Sequence, residues 1–276
     1  MLTWNLYHGR DFPPDPALLT WRSRLLRRSE RDATHLQVNR DLLPEFTAAL
    51  AAADWDVALL QEVPPRWAAP LAASCEAGGH RALTSRNSLA PLRRLAARLN
   101  PDLVASNEGG SNLTLVRARA GAIVARRELT LRASGEPERR ALGFVRVRLA
   151  GDPGDELCAG NLHASAGPAN RGLAEEEVRA AAERCIAWAR GAPLILGGDF
   201  NLRPRETAVY DELARNDGLA RPTAADALDH LLARDLEPVA GPRTWAPRER
   251  EVVCGGLAIR LSDHAPVEAA FALQGD

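Results

Sequence analysis

Short apolar runs that read as buried strands alternate along this chain with segments of helical period, and that alternation restricts the fold more than any other feature. The strand candidates are Met1–Leu6, Val57–Leu60, Leu113–Val116, Ala122–Leu131, Leu142–Leu149, Glu156–Leu162, Leu194–Leu196, Leu228–Leu232 and Val267–Leu273. Between them Leu18–Arg31, Val38–Ala53, a segment opened by Pro64-Pro65 and running to about Cys75, Ser88–Leu99 and Leu173–Arg190 read as helices. Asn100-Pro101 reads as the stop of the fourth helix, and Gly197-Gly198 as a turn. Glu175, Glu176 and Glu177 are expected in the first turn of the last helix, where negative charge suits the helix dipole. No repeat, linker or low-complexity run divides the 276 residues, so one domain over residues 1–276 is expected.

Composition removes several chemistries. All 35 Lys-plus-Arg positions are Arg, so there is no Schiff-base, P-loop or kinase-type lysine. A net charge of −1 gives no overall attraction to nucleic acid, although a local basic groove stays open. No Ser sits in a GxSxG elbow. Cys75, Cys158, Cys185 and Cys254 lie far apart and form no CxxC pair, so free thiols in a reducing compartment are expected. Thr3-Trp4-Asn5 follow the start at once, and Asp54 and Asp56 interrupt the most apolar stretch. A cytoplasmic monomer with no membrane-inserted segment is the expectation.

Polar residues recur at the C-terminal ends of the strand candidates, where α/β layers gather catalytic groups on a rigid frame. Trp4-Asn5 ends the first, Gln61-Glu62 the second, Asn161-Leu162-His163 a middle one and Gly198-Asp199-Phe200-Asn201 a later one. Leu228-Asp229-His230 lies within a strand candidate, and Ser262-Asp263-His264 immediately precedes the last. In this order, from Thr3 to about Phe271, the motifs resemble the endonuclease/exonuclease/phosphatase superfamily. That group includes deoxyribonuclease-like enzymes, abasic-site endonucleases, inositol-polyphosphate phosphatases and sphingomyelinases. The resemblance implies an α/β (α+β) four-layer α/β/β/α sandwich, two face-to-face mixed β-sheets flanked by helices.

Glu62, Asp263 and the amide oxygen of Asn5 are hard oxygen donors, suited to Mg²⁺ or Mn²⁺ rather than zinc. By resemblance Asp199 orients and deprotonates the attacking water or protonates the leaving group, and Asn201 fixes the water or the phosphate. The lesser alternative for Gly-Gly-Asp-Phe-Asn is a plain Asx turn. Asp229 is by resemblance the partner that holds His264 in one tautomer and raises its pKa, and His163 donates to phosphate oxygens as charge builds. The division of base and clamp between Asp199 and His264, and the number of metals, stay open. Asn112, Asn161 and Arg86 are expected to contact substrate. His35 and His80 read as structural, while His8 and His230 flank site motifs without a role of their own.

Three departures bear on the substrate. The stretch between Asn5 and Glu62 is long, Asn201 to Asp229 is short for a DNA-cutting member, and Ser88–Leu99 adds a helix. The Arg-rich stretches Arg22–Arg31 and Arg93–Arg98 could meet a polyanion, or be solvated helix faces. A divalent-metal phosphoesterase follows, acting on nucleic acid, a small molecule or a lipid headgroup. The alternative is a non-catalytic phosphate- or nucleic-acid-binding protein on the same fold.

Overall fold

The computed structural model describes residues 1–84, 90–132, 139–151, 154–220 and 224–273, with Ala90 and residues 105–108 described by their backbone. Its frame is two mixed β-sheets. The six-stranded sheet runs in the order Leu236–Thr244, Val267–Leu273, Leu2–Asn5, Val57–Gln61, Ser111–Arg117, Ala77–Leu83. The five-stranded sheet runs Asp229–Arg234, Leu194–Asp199, Glu156–His163, Arg140–Leu149, Gly121–Arg132. Each holds one parallel pair, in registers that set Asn5 beside Gln61 and Asp199 beside His163. Four strand C-termini therefore lie at one end of the molecule.

The continuous apolar runs are explained by burial on both faces. Val57 and Leu59 point into the space between the sheets, with Val145, Val147, Ala159, Ile195 and Leu231 opposite. Their neighbours Ala58 and Leu60 point outward under helices Leu43–Ala52 and Ala68–Ser74, against Phe46, Leu50 and Leu71. Leu194 and Leu196 face outward beneath helix Arg171–Ala189, which contributes Ala174, Val178, Ala181, Ala182 and Cys185. The α/β/β/α order is thus the one expected.

Local boundaries differ where side chains compete for the backbone. The expected Leu18–Arg31 helix is only Trp21–Leu26, capped by the Thr20 hydroxyl, which accepts from Ser23 N at 3.1 Å, and ended by Arg27 at φ 54°. The next helix begins at Leu43 rather than Val38, because the Val38 N–H is taken by the Asp11 carboxylate and Pro44 sets the first turn. Asn100-Pro101 stops helix Ala90–Leu99 as expected and also opens another, Pro101–Glu108, with the Asn100 side chain accepting from Leu103 N. Gly197-Gly198 is not a turn, for the strand continues to Asp199. Helix Arg171–Ala189 has no acidic residue in its first turn, since it starts earlier than expected. Glu177 instead grips the loop after His163, accepting from Ser165 N at 2.7 Å and Ser165 Oγ at 2.8 Å. The strands Ala77–Leu83 and Leu236–Thr244, the hairpin Glu251–Cys254 with Leu257–Arg260, and helix Val209–Asp217 were not expected. All four cysteines are free, three of them buried.

Asp11 offers a test of this packing. Burial pushes its pKa up to about 7, against the opposing Val38 N–H bond, with the Asp102 charge adding to the rise. The folded value lies above the ordinary 3.8, so the stabilising proton is held fully below about pH 4 and lost as pH rises through about 7. Asp11→Asn is expected to be more stable than wild type at pH 8 by about 2–4 kcal/mol and equal to it near pH 4. Urea unfolding of both across that range checks this; parallel curves would refute the buried protonated carboxyl.

Candidate active site

Strand alternation builds the site before any loop does. Asp199 shares a face with Ile195 and Gly197, His163 with Ala159 and Asn161, and Asn5 with Thr3. Ile195 and Ala159 belong to the layer between the sheets, so Asp199, His163 and Asn5 stand at the mouth of that layer. Asp229 pairs directly with Asp199 from the neighbouring antiparallel strand. His264 and Asp263 arrive on the loop before the last strand, which Ser262 fastens down. Its hydroxyl donates to the Asn5 carbonyl at 2.6 Å and accepts from His264 N at 3.1 Å. The Trp4 indole N–H holds the His264 carbonyl at 3.0 Å.

Backbone strain gathers at the same place. Among the described residues nine non-glycine residues have positive φ, and Tyr7, His8, Glu62, Asn201 and Ser262 are five of them. Such conformations cost energy and persist where surrounding contacts fix them. Here they turn the chain sharply at the strand ends, so that residues following the strands stay over the mouth.

Asp199 is the centre. Its Oδ2 accepts from Asn5 Nδ2 at 2.9 Å and lies 3.6 Å from His163 Nε2 and 3.7 Å from His264 Nε2, while Oδ1 accepts from Asn201 N at 3.1 Å. Burial works against its charge, yet the two imidazoles and the Asn5 and Asn201 donors hold its pKa below the ordinary value. His264 Nδ1 is 2.7 Å from Asp229 Oδ2. Burial alone would lower the His264 pKa, but the Asp199 and Asp229 carboxylates outweigh it and push it up to about 10. Burial and the Asp199 charge raise Asp229 to about 6.

His163 is held in the opposite state. Burial, then the Arg140 guanidinium, lowers it to about 4. Arg140 Nη1 is 3.5 Å from His163 Nδ1, and a guanidinium can only donate, so Nδ1 accepts and Nε2 carries the proton. That N–H faces Asp199 and also Glu62 Oε1, at 3.8 Å. The Glu62 carboxylate is held below its ordinary pKa despite burial, chiefly by His8, whose Nε2 lies 3.2 Å away. His8 and Arg140 are site residues that sequence reasoning missed. A position three residues past Asn5 was the one signal for His8, and nothing local distinguished Arg140.

Other expected residues fall elsewhere. Asn161 is fully buried deeper in the seam, accepting from Gln61 Nε2 at 2.8 Å and donating to the Leu60 carbonyl at 3.2 Å, so it ties the sheets together and does not line the mouth. Asn112 is also buried, and its amide crosses to the Ala141 carbonyl at 2.9 Å. Arg86 lies outside the described residues. Asn201 is at the site, with its amide donating to the Ala164 carbonyl at 3.1 Å. The Asn5 amide oxygen accepts from Tyr7 N at 2.9 Å, and its nitrogen is the group turned toward Asp199. Asp263 is exposed and feels the charges of Glu62 and Asp199. His35 and His80 make structural contacts, to Glu251 at 3.1 Å and to the Arg127 carbonyl at 3.3 Å. Buried His230 meets the Leu202 carbonyl at 3.2 Å.

Two places could hold a cation. Ligand atoms of Asp199, Asp229 and His264 lie within 4.8 Å of one another. Glu62 and Asp263 supply carboxylates on the outer side of the mouth. A separate cavity of about 710 Å³, lined by Met1, Trp55, Leu157 and Phe271 among others, lies at the opposite end of the sandwich and shares none of these residues.

The family model described as Endonuclease/Exonuclease/phosphatase family matches residues 2–264. No curated protein sequence matches the chain. Among solved structures, a mannosyl-6-phosphatase of Bacteroides thetaiotaomicron VPI-5482 is 16% identical, with 99% of this chain and 100% of that one covered at a TM-score of 0.64. The human nocturnin catalytic domain with bound sulfate is 16% identical over 98% of this chain and 92% of that one, at 0.62. An endonuclease/exonuclease/phosphatase from Beutenbergia cavernae DSM 12333 is 19% identical over 99% and 71%, at 0.65. These likenesses show the fold, and the family match spans every strand end that carries the site. With sandwich, strand-end polar groups and family match in agreement, the chain belongs to the endonuclease/exonuclease/phosphatase family, whose members are generally phosphoesterase hydrolases that use a divalent metal.

Proposed function

We propose that this protein is a divalent-metal-dependent phosphoester hydrolase, with a phosphodiester as the preferred substrate class, built as a single domain that works as a monomer in the cytoplasm. One observation carries the reading: a buried carboxylate, Asp199, is held by Asn5 at 2.9 Å between two imidazoles in different protonation states, at 3.6 and 3.7 Å. Groups whose environments drive their pKa values apart are how acid and base roles are divided. Asp199, ionised and oriented by Asn5 and the Asn201 N–H, takes the proton of the attacking water. His264, kept charged by Asp229, holds a phosphate oxygen. His163, neutral with its proton on Nε2, donates to a second oxygen as negative charge grows.

The donor chemistry also supports a cation. Four carboxylates, Glu62, Asp199, Asp229 and Asp263, crowd one mouth, and the Asp229–His264 pair balances only part of that charge. An anionic phosphate would be repelled from such a site without a positive ion. Glu62, which faces the His8 and His163 imidazoles, and exposed Asp263 are the hard-oxygen donors that would hold Mg²⁺ or Mn²⁺, whereas Asp229 is already committed to His264. Such an ion, when bound, polarises a phosphoryl oxygen and offsets charge on the leaving oxygen.

The test is hydrolysis across a chromogenic diester, a monoester, plasmid DNA, an abasic-site duplex and a phospholipid, with Mg²⁺ or with chelator. Chelator-sensitive turnover of at least one ester is expected, and silence throughout would overturn the reading. Glu62→Gln is expected to raise the Mg²⁺ concentration for half-maximal rate on the order of 10- to 100-fold, with a smaller effect on the saturated rate. A magnesium titration coinciding with wild type would remove Glu62 from the metal set.

A further inference from the structure

Helix Ala90–Leu99 faces the wrong way for an ordinary surface helix. Among its described side chains Ala97 is the fully buried one, while Leu92, Leu95 and Leu99, at i, i+3 and i+7, form an outward stripe and are 57–66% exposed. Helix Trp21–Leu26 repeats the inversion, with Ser23 buried and Trp21, Leu25 and Leu26 each more than half exposed. The short helix is tied to the end of the longer one at Asn100, whose side chain donates to the Arg24 carbonyl at 2.9 Å. Six large apolar side chains exposed on two helices joined in this way are more than the scattered exposure found on any protein.

Charge narrows the partner. Residues 21–29 and 90–99 contain Arg22, Arg24, Arg27, Arg28, Arg93, Arg94 and Arg98 and no acidic residue, in a chain whose net charge is −1. Exposed apolar side chains interleaved with arginines along two helices match a membrane interface, where Leu and Trp enter the headgroup boundary and arginines meet lipid phosphates. A second copy would oppose like charge to like charge, and nucleic acid would leave the leucines without a partner.

We propose that helices Trp21–Leu26 and Ala90–Leu99 form a peripheral docking platform for anionic lipid bilayers. The contact is peripheral, and no helix among the described residues is long and apolar enough to cross a membrane. The platform adjoins the catalytic mouth through the Pro101–Glu108 helix. Asp102 on that helix lies 3.4 Å from Arg10, whose guanidinium stacks 4.7 Å from the Tyr7 ring beside Glu62 and Asp263. Docking would therefore bring the mouth close to the lipid phosphate layer. The two stretches that the family resemblance left unexplained thereby gain one shared role.

The test reads binding without turnover, so it stands apart from the hydrolytic reading. The full chain is co-sedimented with vesicles of phosphatidylcholine alone and with added phosphatidylglycerol, at low and high salt. Binding to the anionic vesicles, weakened by salt, is expected. Leu95→Ser with Leu99→Ser should lower partitioning about tenfold or more, and Arg94→Gln about fivefold, with thermal midpoint and hydrolysis of a soluble ester unchanged. Failure to bind either vesicle overturns the proposal, as does binding that the leucine variant leaves intact. A concentration-dependent dimer abolished by the leucine variant would give the surface to a second copy. Retention on DNA without vesicle binding would give the arginines to nucleic acid.

Discussion

Asp199→Asn is expected to lower kcat on the order of 10³-fold while leaving the protein folded. The carboxylate has both oxygens engaged, Oδ2 by Asn5 Nδ2 and Oδ1 by Asn201 N–H. An amide can accept from one of these donors but must turn its own NH2 toward the other, so one contact is lost at a cost of about 1–3 kcal/mol. Part of that cost is returned, because the variant removes a negative charge that now raises the pKa of Asp229. The proton acceptor, by contrast, disappears completely, and neither imidazole replaces it. His264 is already protonated, and His163 presents an N–H rather than a lone pair to the mouth. Steady-state kinetics on whichever ester is turned over, with a thermal midpoint for each protein, decide the matter. Wild-type kcat with a normal midpoint would move the base elsewhere.

The site was legible in sequence because the fold places chemistry where a one-dimensional pattern can show it. Polar residues that end, begin or flank the strands, namely Asn5, Glu62, His163, Asp199, Asp229, Asp263 and His264, do assemble at one end of the sandwich. Depth was not legible. Asn161 and His163 lie on the same strand face one pleat apart, and that step separates a polar tie inside the seam from a group at the mouth. His8 and Arg140 were invisible for a different reason. Their meaning lies in Glu62 and in His163 Nδ1, contacts made between neighbouring strands far apart in sequence that leave no local periodicity. In the fold, the doubly buried strands stood out as apolar runs, whereas Leu236–Thr244 is exposed along almost its whole length and carries no such signature. Helix lengths were overestimated where Asp11 and Thr20 take backbone N–H groups that a longer helix would need or cap.

Gly198→Ala is expected to cost on the order of 4 kcal/mol or more, enough to unfold a domain of ordinary stability or leave it insoluble. Gly198 sits inside the Leu194–Asp199 strand at φ 141°, a conformation that L side chains rarely adopt. A Cβ there would lie 1.8 Å from the Leu162 carbonyl oxygen, which is backbone of the neighbouring parallel strand and cannot swing aside. Gly197→Ala provides the comparison. Its Cβ would meet the tips of Leu231 and Leu59 at 2.7 and 2.8 Å, with the His230 carbonyl at 2.9 Å, so most of that clash can relax through side chains at about 1–3 kcal/mol. Denaturant unfolding of the two variants should therefore rank Gly198→Ala well below Gly197→Ala, and both below wild type. Equal midpoints would mean that the strand does not run through Gly198 as described. The consequence reaches the chemistry, because the unusual turn of the backbone at Gly198 immediately precedes Asp199. A residue with a side chain at 198 would have to shift the strand end, and a carboxylate that must meet Asn5 at 2.9 Å and two imidazoles within 3.7 Å has no room for such a shift. Any folded Gly198→Ala protein should accordingly lose activity beyond what its stability explains.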